Sequence, residues 1–270
     1  MPSVVLVTGA SSGFGRVTAS LAARRGHVVY AGVRSPDRCA PFAEANVKMV
    51  QLDVTVPAQR EAVVRRILEE NGRIDALVNN AGIPLGGFLE TVEEDELRRL
   101  FDTNVFAVFA LTRLVLPAMR AQRAGHVIMV SSMGGRMAIP GMGAYNASKF
   151  AMEGMSEAWR HELSPFGVRV TIIEPGPYRT EIYGRNKVIA EGNRAEGPYA
   201  ERAARLEAVA EKMAAKGGDP EEVAERIVAT VEGRVTALRH PMGPTSFLRT
   251  LLLRFAPFWV IERIVARVAR

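Results

Sequence analysis

Tyr145 and Lys149, set four residues apart in Tyr145-Asn-Ala-Ser-Lys149, are a pair that could move a proton. A free phenol titrates near ~10 and is a poor base at neutral pH. A cation held beside it favours the phenolate and lowers that value. Residues four apart on a helix share a face, so Lys149 stands over Tyr145 wherever this stretch is helical. The pair then reads as a general acid/base tuned by its neighbour. A helix start with two surface residues would give the same spacing. The choice of lysine argues for chemistry, because only five of the 35 basic residues are Lys. A compact ammonium that shifts a neighbouring pKa is a lysine property, whereas an ordinary ion pair in this chain would draw arginine.

A second stretch could hold phosphate. Val4-Val-Leu-Val7 is an aliphatic run of the kind buried on both faces of a parallel sheet. Thr8-Gly-Ala-Ser-Ser-Gly-Phe-Gly15 follows at once, and an amphipathic helical pattern runs on to Arg25. Gly9, Gly13 and Gly15 let the backbone turn and come close to a ligand, with Ser11, Ser12 and Phe14 between them. The helix start then presents free N–H groups and a positive dipole end to an anion. Strand before and helix after is the context such a loop needs for dinucleotide binding.

The next strand, His27–Val33, ends without an acid, and Arg34 stands just beyond it. An acid there would hold a ribose 2′-hydroxyl and reject a 2′-phosphate. An Arg offers a bidentate phosphate donor instead. That choice favours NADP(H) over NAD(H), with a plain surface arginine as the alternative. A third strand over 47–52 ends at Asp53-Val54, where Asp53 either meets an adenine amino group or starts a turn.

Helical periodicity over 57–71 predicts a crossover helix, and Ile74–Val78 a fourth strand before Asn79-Asn80-Ala81-Gly82. Small residues after a parallel strand let a planar ring or sugar pack on the backbone. A long helix is expected over 93–122, carrying Asn104 among apolar neighbours, where a buried amide needs partners. Val127–Val130 is a fifth strand ending in Ser131-Ser132, a helix spans 146–164, and Val168–Ile173 is a sixth strand before Pro175-Gly176. Strands alternating with helices predict an α/β, doubly wound parallel sheet of about seven strands, a Rossmann fold in a single domain. Ligands in such folds sit beyond the carboxyl ends of the strands, where these motifs fall.

Composition bounds the rest. A chain of 270 residues with 48% hydrophobic and 24% charged residues suits one sizeable globular core. Cys39 is the only cysteine, so no internal disulfide forms and a reducing compartment is expected. No signal-type N-terminus and no spanning run of ~18 apolar residues are read, so the expected location is cytoplasmic. The net charge of +6 is mostly scattered, and no groove-reading motif accompanies it, so no nucleic-acid partner is expected. No metal site is expected either.

These residues, taken in order, resemble the short-chain dehydrogenase/reductase family. The likeness spans residues 3 to about 240 and rests on Thr8-Gly-x3-Gly-x-Gly15, Asn79-Asn-Ala-Gly82, Asn104, Ser132, Tyr145-x3-Lys149 and Pro175-Gly176-x3-Thr180. The resemblance implies catalytic Asn104, Ser132, Tyr145 and Lys149. Tyr145 would be the acid/base and Ser132 would hydrogen-bond the substrate oxygen. Lys149 would hold the nicotinamide ribose and lower the Tyr145 pKa, and Asn104 would hold a relay water. Ser131 is the rival to Ser132, with the thirteen-residue separation from Tyr145 favouring Ser132. Cofactor contacts are expected from the Gly-rich loop, Arg34, Asp53, Val54, Asn80, Ala81, Gly82, Tyr145, Lys149, Pro175, Gly176 and Thr180. Phe14 departs from the family's usual Ile against the nicotinamide.

Within the family, Tyr30-Ala-Gly-Val-Arg34, Ser132-Met-Gly-Gly135, Ser148-Lys-Phe-Ala-Met-Glu-Gly154 and Asp219-Pro-Glu-Glu-Val-Ala224 are closest to the hydroxysteroid and retinol dehydrogenase branch. The expected domain is 1–240, with 177–216 as a substrate lid and 241–270 as an amphipathic extension. Ser132, Met133, Met142, Tyr145, Tyr178, Ile182 and Tyr183 are the expected substrate residues. They suit an apolar alcohol and its ketone or aldehyde, although a Met-rich loop also fills core gaps. The expected activity is therefore NADP(H)-dependent hydride transfer, with a non-catalytic NADPH sensor on the same fold as the alternative. Epimerases and dehydratases of related fold have longer chains with a separate substrate domain.

Broad apolar surfaces on the segments 93–122 and 146–164 and the family's habit of pairing these helices predict a homodimer. The tail, 245–270, holds five Arg against one Glu, and Trp259, Val260, Ile264, Val265 and Val268 can share a face away from Arg263, Arg267 and Arg270. Such a segment suits a membrane surface, which would make the protein peripheral at the inner membrane face. Docking of the tail on the pocket or on a partner subunit is the other reading.

Overall fold

The computed structural model describes residues 2–180, 188–193, 197–244 and 246–269. Its elements alternate from the start: β1 (Val4–Thr8), α1 (Gly13–Arg24), β2 (Val28–Val33), β3 (Val47–Gln51), α2 (Pro57–Asn71) and β4 (Ala76–Asn79). Next come α3 (Glu94–Phe101) and α4 (Ala107–Gln122), joined without a break by a π turn at Asp102–Phe106. β5 (Gly125–Val130), α5 (Gly143–Leu163) and β6 (Val168–Pro175) carry the middle of the chain. α6 (Ala200–Ala215), α7 (Pro220–Val231), β7 (Arg239–Met242), α8 (Ser246–Phe255) and α9 (Phe258–Ala269) complete it.

The strands form one parallel sheet in the order β3-β2-β1-β4-β5-β6-β7. Successive residues of a strand face opposite layers. Leu6, Tyr30, Leu77 and Met129 pack on α2, α4 and α5 with Ile67, Leu111, Val115 and Trp159. Val5, Val7, Val29, Val78 and Ile128 pack on α1 and α7 with Ala22, Val223 and Ile227. Both faces are covered, which is why these strands read as unbroken apolar runs.

Helix ends follow local chemistry. Pro57 opens α2, and Gly72 closes it in a left-handed conformation (φ 68°), its N–H donating to Leu68 O at 2.8 Å. Asp219 caps α7 by accepting from Glu221 N at 3.0 Å.

Two expectations need correction. β7 runs across the boundary set at 240, because residues 239–242 pair with Ile172–Pro175 and belong to the sheet. The extension therefore starts after Met242. The continuous helix Glu94–Gln122 is also long and apolar enough to cross a membrane by length and composition, contrary to the expectation of no such segment. Its Leu111, Val115 and Met119 are fully buried in the core, so one face of this apolar helix packs against the sheet.

Candidate active site

The site lies beyond the carboxyl ends of β1, β4, β5 and β6, where the strand order reverses between β1 and β4. Gly9 (φ 65°) and Gly13 (φ 55°) sit in left-handed conformations that other residues adopt at a cost. A side chain on Gly9 would come within 2.8 Å of Ala81 Cα, so the loop after β1 lies directly against the loop after β4. Thr8 pins the two together. Its Oγ1 donates to Val78 O at 3.2 Å and accepts from Asn80 N at 3.0 Å and Ala81 N at 2.9 Å. Asn80 Nδ2 donates back to Thr8 O at 2.8 Å.

This cradle fits a dinucleotide. Ser12 precedes α1 with no side chain capping the helix, and no acid stands in the first turn. The orphan N–H groups and the positive dipole end are thus left for an anion. Gly13 and Thr180, close enough that a side chain on Gly13 would lie 3.7 Å from Thr180 Cβ, line a groove of about 430 Å³ with Val17, Arg179, Ala214 and Pro220. Ser11 is exposed beside it. Arg34 is exposed past β2, and among the described residues no side-chain hydrogen bond or ion pair engages it. Asp53 Oδ1 accepts from Thr55 N at 2.9 Å and Thr55 Oγ1 at 2.7 Å, so the residue does start a turn. Val54 turns its side chain into the core. Gly176 N donates to Met242 O at 2.9 Å, which ties the Pro175-Gly176 turn to the end of β7.

The catalytic expectations converge. Tyr145 and Lys149 lie in the first two turns of α5, with Lys149 Nζ 5.8 Å from the centroid of the Tyr145 ring. Lys149 is buried and donates to Val130 O at 2.9 Å. Burial pushes its ammonium down to about 8, with the charge of Glu153 acting in the opposite sense. A side chain on Gly134 would meet Asn146 Nδ2 at 2.5 Å, Ser132 Oγ at 3.3 Å and Tyr145 Cε1 at 3.6 Å, so the Ser132 hydroxyl and the Tyr145 ring flank the same glycine. Ser132 Oγ accepts from Gly134 N at 3.0 Å. Ser131, the rival, is buried on the opposite side of the chain against Gly135. Strand alternation separates the two serines and leaves Ser132 facing Tyr145.

Asn104 sits in the π turn and is wholly buried. Its Oδ1 accepts from Ile83 N at 2.9 Å, and its Nδ2 donates to Ile83 O at 2.9 Å and Ser148 Oγ at 3.1 Å. A π turn inserts a residue into the helix and is common at functional sites. Here it turns the amide toward Gly82, where a side chain would lie 3.2 Å from Asn104 Oδ1 and 3.8 Å from Lys149 Nζ.

The substrate expectations divide. Met142 immediately precedes α5, and Met133 follows Ser132 and is buried. Ile182 and Tyr183 lie outside the described residues. Tyr178 is a correction: it is buried in the core, packed edge-on against Phe14 at 5.5 Å, with its hydroxyl 3.2 Å from Glu222 Oε2. Burial and the Glu222 carboxylate push that phenol up, which suits an anchor for the chain after β6 and not a substrate contact. Phe14 thereby packs on protein on at least one side.

Sequence reasoning passed over Asn146 and Glu153. Asn146 Oδ1 accepts from Ile139 N and its Nδ2 donates to Gly134 O, each at 3.0 Å, holding the Ser132 loop to α5. Its place inside the Tyr145–Lys149 motif was the available signal. Glu153, one turn beyond Lys149, is a buried carboxylate that spacing alone could have marked.

A family model described as short chain dehydrogenase matches residues 3–188, and the chain belongs to that family of Rossmann-fold oxidoreductases. It is similar to 3-ketodihydrosphingosine reductase of Bacteroides thetaiotaomicron, at 38% identity over 90% of this chain and 88% of that one. Two solved structures resemble it closely. A short-chain dehydrogenase/reductase from Burkholderia phymatum in complex with NAD is 28% identical, with a TM-score of 0.80 over 94% of this chain and 92% of that one. A short-chain dehydrogenase from Burkholderia cenocepacia in complex with NADP is 27% identical, with a TM-score of 0.77 over 99% of this chain and 97% of that one.

Proposed function

We propose that this protein is an NADP(H)-dependent oxidoreductase that interconverts an apolar alcohol and its ketone or aldehyde, with Tyr145 as the acid/base. The observation that carries the reading is the convergence of Ser132 Oγ and the Tyr145 ring on Gly134, with the buried Lys149 ammonium 5.8 Å from that ring. A nicotinamide cofactor held by the loops around Gly9, Gly13, Asn80 and Ala81 would supply or accept the hydride. In oxidation, the Tyr145 phenolate takes the hydroxyl proton as the hydride leaves the carbinol carbon. In reduction, the phenol returns that proton to the carbonyl oxygen. Ser132 donates to the same oxygen and fixes its position, and Lys149 keeps the phenolate accessible near neutral pH.

NADP(H) is favoured by the uncharged end of β2 and by the guanidinium of Arg34, unengaged among the described residues, since cofactors in the solved relatives divide between NAD and NADP. A long-chain keto substrate is supported by the name of the Bacteroides relative and by the apolar surface of α8 and α9. Leu248, Leu251, Phe255, Phe258 and Trp259 are exposed there beside Arg254, Arg263 and Arg267. This pattern fits contact with an anionic membrane face, so we place the protein in the cytoplasm, peripheral at the inner membrane. Exposed Phe106, Phe109 and Phe150 on the π turn, α4 and α5 support a homodimer through those helices.

The test is Tyr145→Phe in an assay of NADPH oxidation against apolar ketones and aldehydes. NADPH binding should survive while turnover falls by ~10²–10⁴-fold. A variant keeping a third of wild-type turnover would refute the acid/base role.

A further inference from the structure

We propose that Glu153 is a positioning residue that acts through Lys149, keeping the ammonium charged so that Tyr145 can ionise. The proposal rests on the Tyr145–Lys149 reading above. Glu153 follows Lys149 by one turn of α5, which puts both side chains on the same face. It is only 4% exposed. Its Oε2 accepts from Arg239 Nε at 3.0 Å, whereas Oε1 has no hydrogen-bond partner among the described residues. Ser131 comes near enough to favour the carboxylate, yet its buried Oγ also lacks a partner in good geometry.

The surroundings form a linked set of charges. Glu174 on β6 is 1% exposed and faces Arg239 Nε and Arg136 Nη1, each at 3.2 Å. Glu157, on the next turn of α5, pairs with Arg239 Nη1 at 2.7 Å. The groups around Glu153 are Lys149 on α5, Ser131 at the end of β5, Glu174 on β6 and Arg239 on β7, with Glu157 reached through Arg239 and Arg136 through Glu174. Three cations meet three carboxylates. With Glu153 removed, Arg239 keeps Glu157 and Glu174 and Arg136 keeps Glu174, whereas Lys149, which donates to Val130 O, loses the acidic charge one turn along its own helix face.

Stability does not explain this arrangement. A buried ion pair is often matched or bettered by apolar residues of the same volume. What an apolar residue cannot do is hold a proton on a buried lysine. Burial and the charge of Glu174 raise Glu153 to about 7, with Ser131 and Arg239 pulling the other way. Its ionisation and that of Lys149 thus fall in neighbouring pH ranges, where each charged form supports the other.

Ultraviolet difference titration of the full-length protein saturated with NADP⁺ reads phenolates directly and needs no substrate. The component lost in Tyr145→Phe belongs to Tyr145. In Glu153→Gln this component should move to higher pH by about one unit, roughly tenfold less phenolate at a given pH below it. Arg239→Gln, which removes the partner of Glu153, should move it the same way, and Glu153→Asp should restore most of the wild-type position. Arg239→Gln also carries the test if Glu153→Gln fails to fold. A component that stays in place indicates a structural role. One that moves to lower pH indicates that Glu153 acts on the phenol directly. Either result overturns the proposal and leaves Tyr145 as the acid/base. Absence from the wild type of any Tyr145 component below the ordinary phenol value overturns the Tyr145–Lys149 reading itself.

Discussion

Asn104 Nδ2 donates to Ser148 Oγ at 3.1 Å, and that hydroxyl donates in turn to Tyr145 O at 2.7 Å. The π turn between α3 and α4 is thereby fastened to the helix that carries Tyr145 and Lys149. Asn104→Ala should leave both polar groups of Ile83 without this partner and cost ~1–3 kcal/mol of stability. Thermal melting together with turnover checks it. An unchanged Tm with unchanged turnover would show that the amide holds nothing in place.

Arg34→Asp tests cofactor choice. It replaces a phosphate donor with a carboxylate that repels a 2′-phosphate and accepts from a 2′-hydroxyl. The ratio of kcat/KM for NADPH over NADH should fall at least tenfold, about 1.4 kcal/mol or more. An unmoved ratio would make Arg34 a surface residue only.

His126 predicts an acid limit to stability. It is buried, its Nε2 lies 2.8 Å from Thr171 Oγ1, and burial, then Arg169 and Arg160, push its pKa down to about 3. The folded state keeps His126 neutral below the usual histidine value near 6.5, while the unfolded chain takes up a proton. Stability is therefore whole above that value and is lost as pH falls toward 3, at up to ~1.4 kcal/mol per pH unit. Urea unfolding at several pH values should show a shallower acid-side slope in His126→Gln. Equal slopes would remove His126 from the account.

Phe150 is 45% exposed on α5, and Phe106 and Phe109 are exposed on the π turn and α4. If these faces pair in a homodimer, Phe150→Glu buries two charges against apolar surface and should raise the dimer dissociation constant at least tenfold. Light scattering over a dilution series checks this. A wild-type mass that is monomeric and independent of concentration would refute the dimer.

The tail can be tested by cutting it. Sedimentation with anionic vesicles should retain the full-length protein and release a chain ending at Gly243, with binding weakened by salt. Equal binding by both, or none by either at low salt, would refute the membrane contact.

Order along the chain carried most of the site. Gly9, Gly13 and Gly15 between an apolar strand and a helix, Asn104, Ser132, and the four-residue step from Tyr145 to Lys149 are local patterns, because phosphate cradles and helix faces are set by neighbours in sequence. The alternating strands and helices were legible for the same reason, down to the Pro57 start of α2. The structure alone decided what depends on contacts between distant segments. It turned Ser131 inward and Ser132 toward Tyr145, which a run of two serines cannot reveal. It took Tyr178 out of the substrate space, since Phe14 and Glu222 that hold it are far away in sequence. It made Arg239–Met242 the last strand, because a short run such as Arg-His-Pro-Met becomes a strand only when Ile172–Pro175 offers its free edge. And it set Glu153 among Glu174, Arg239 and Arg136, a charge balance that exists only once β6, β7 and α5 have come together.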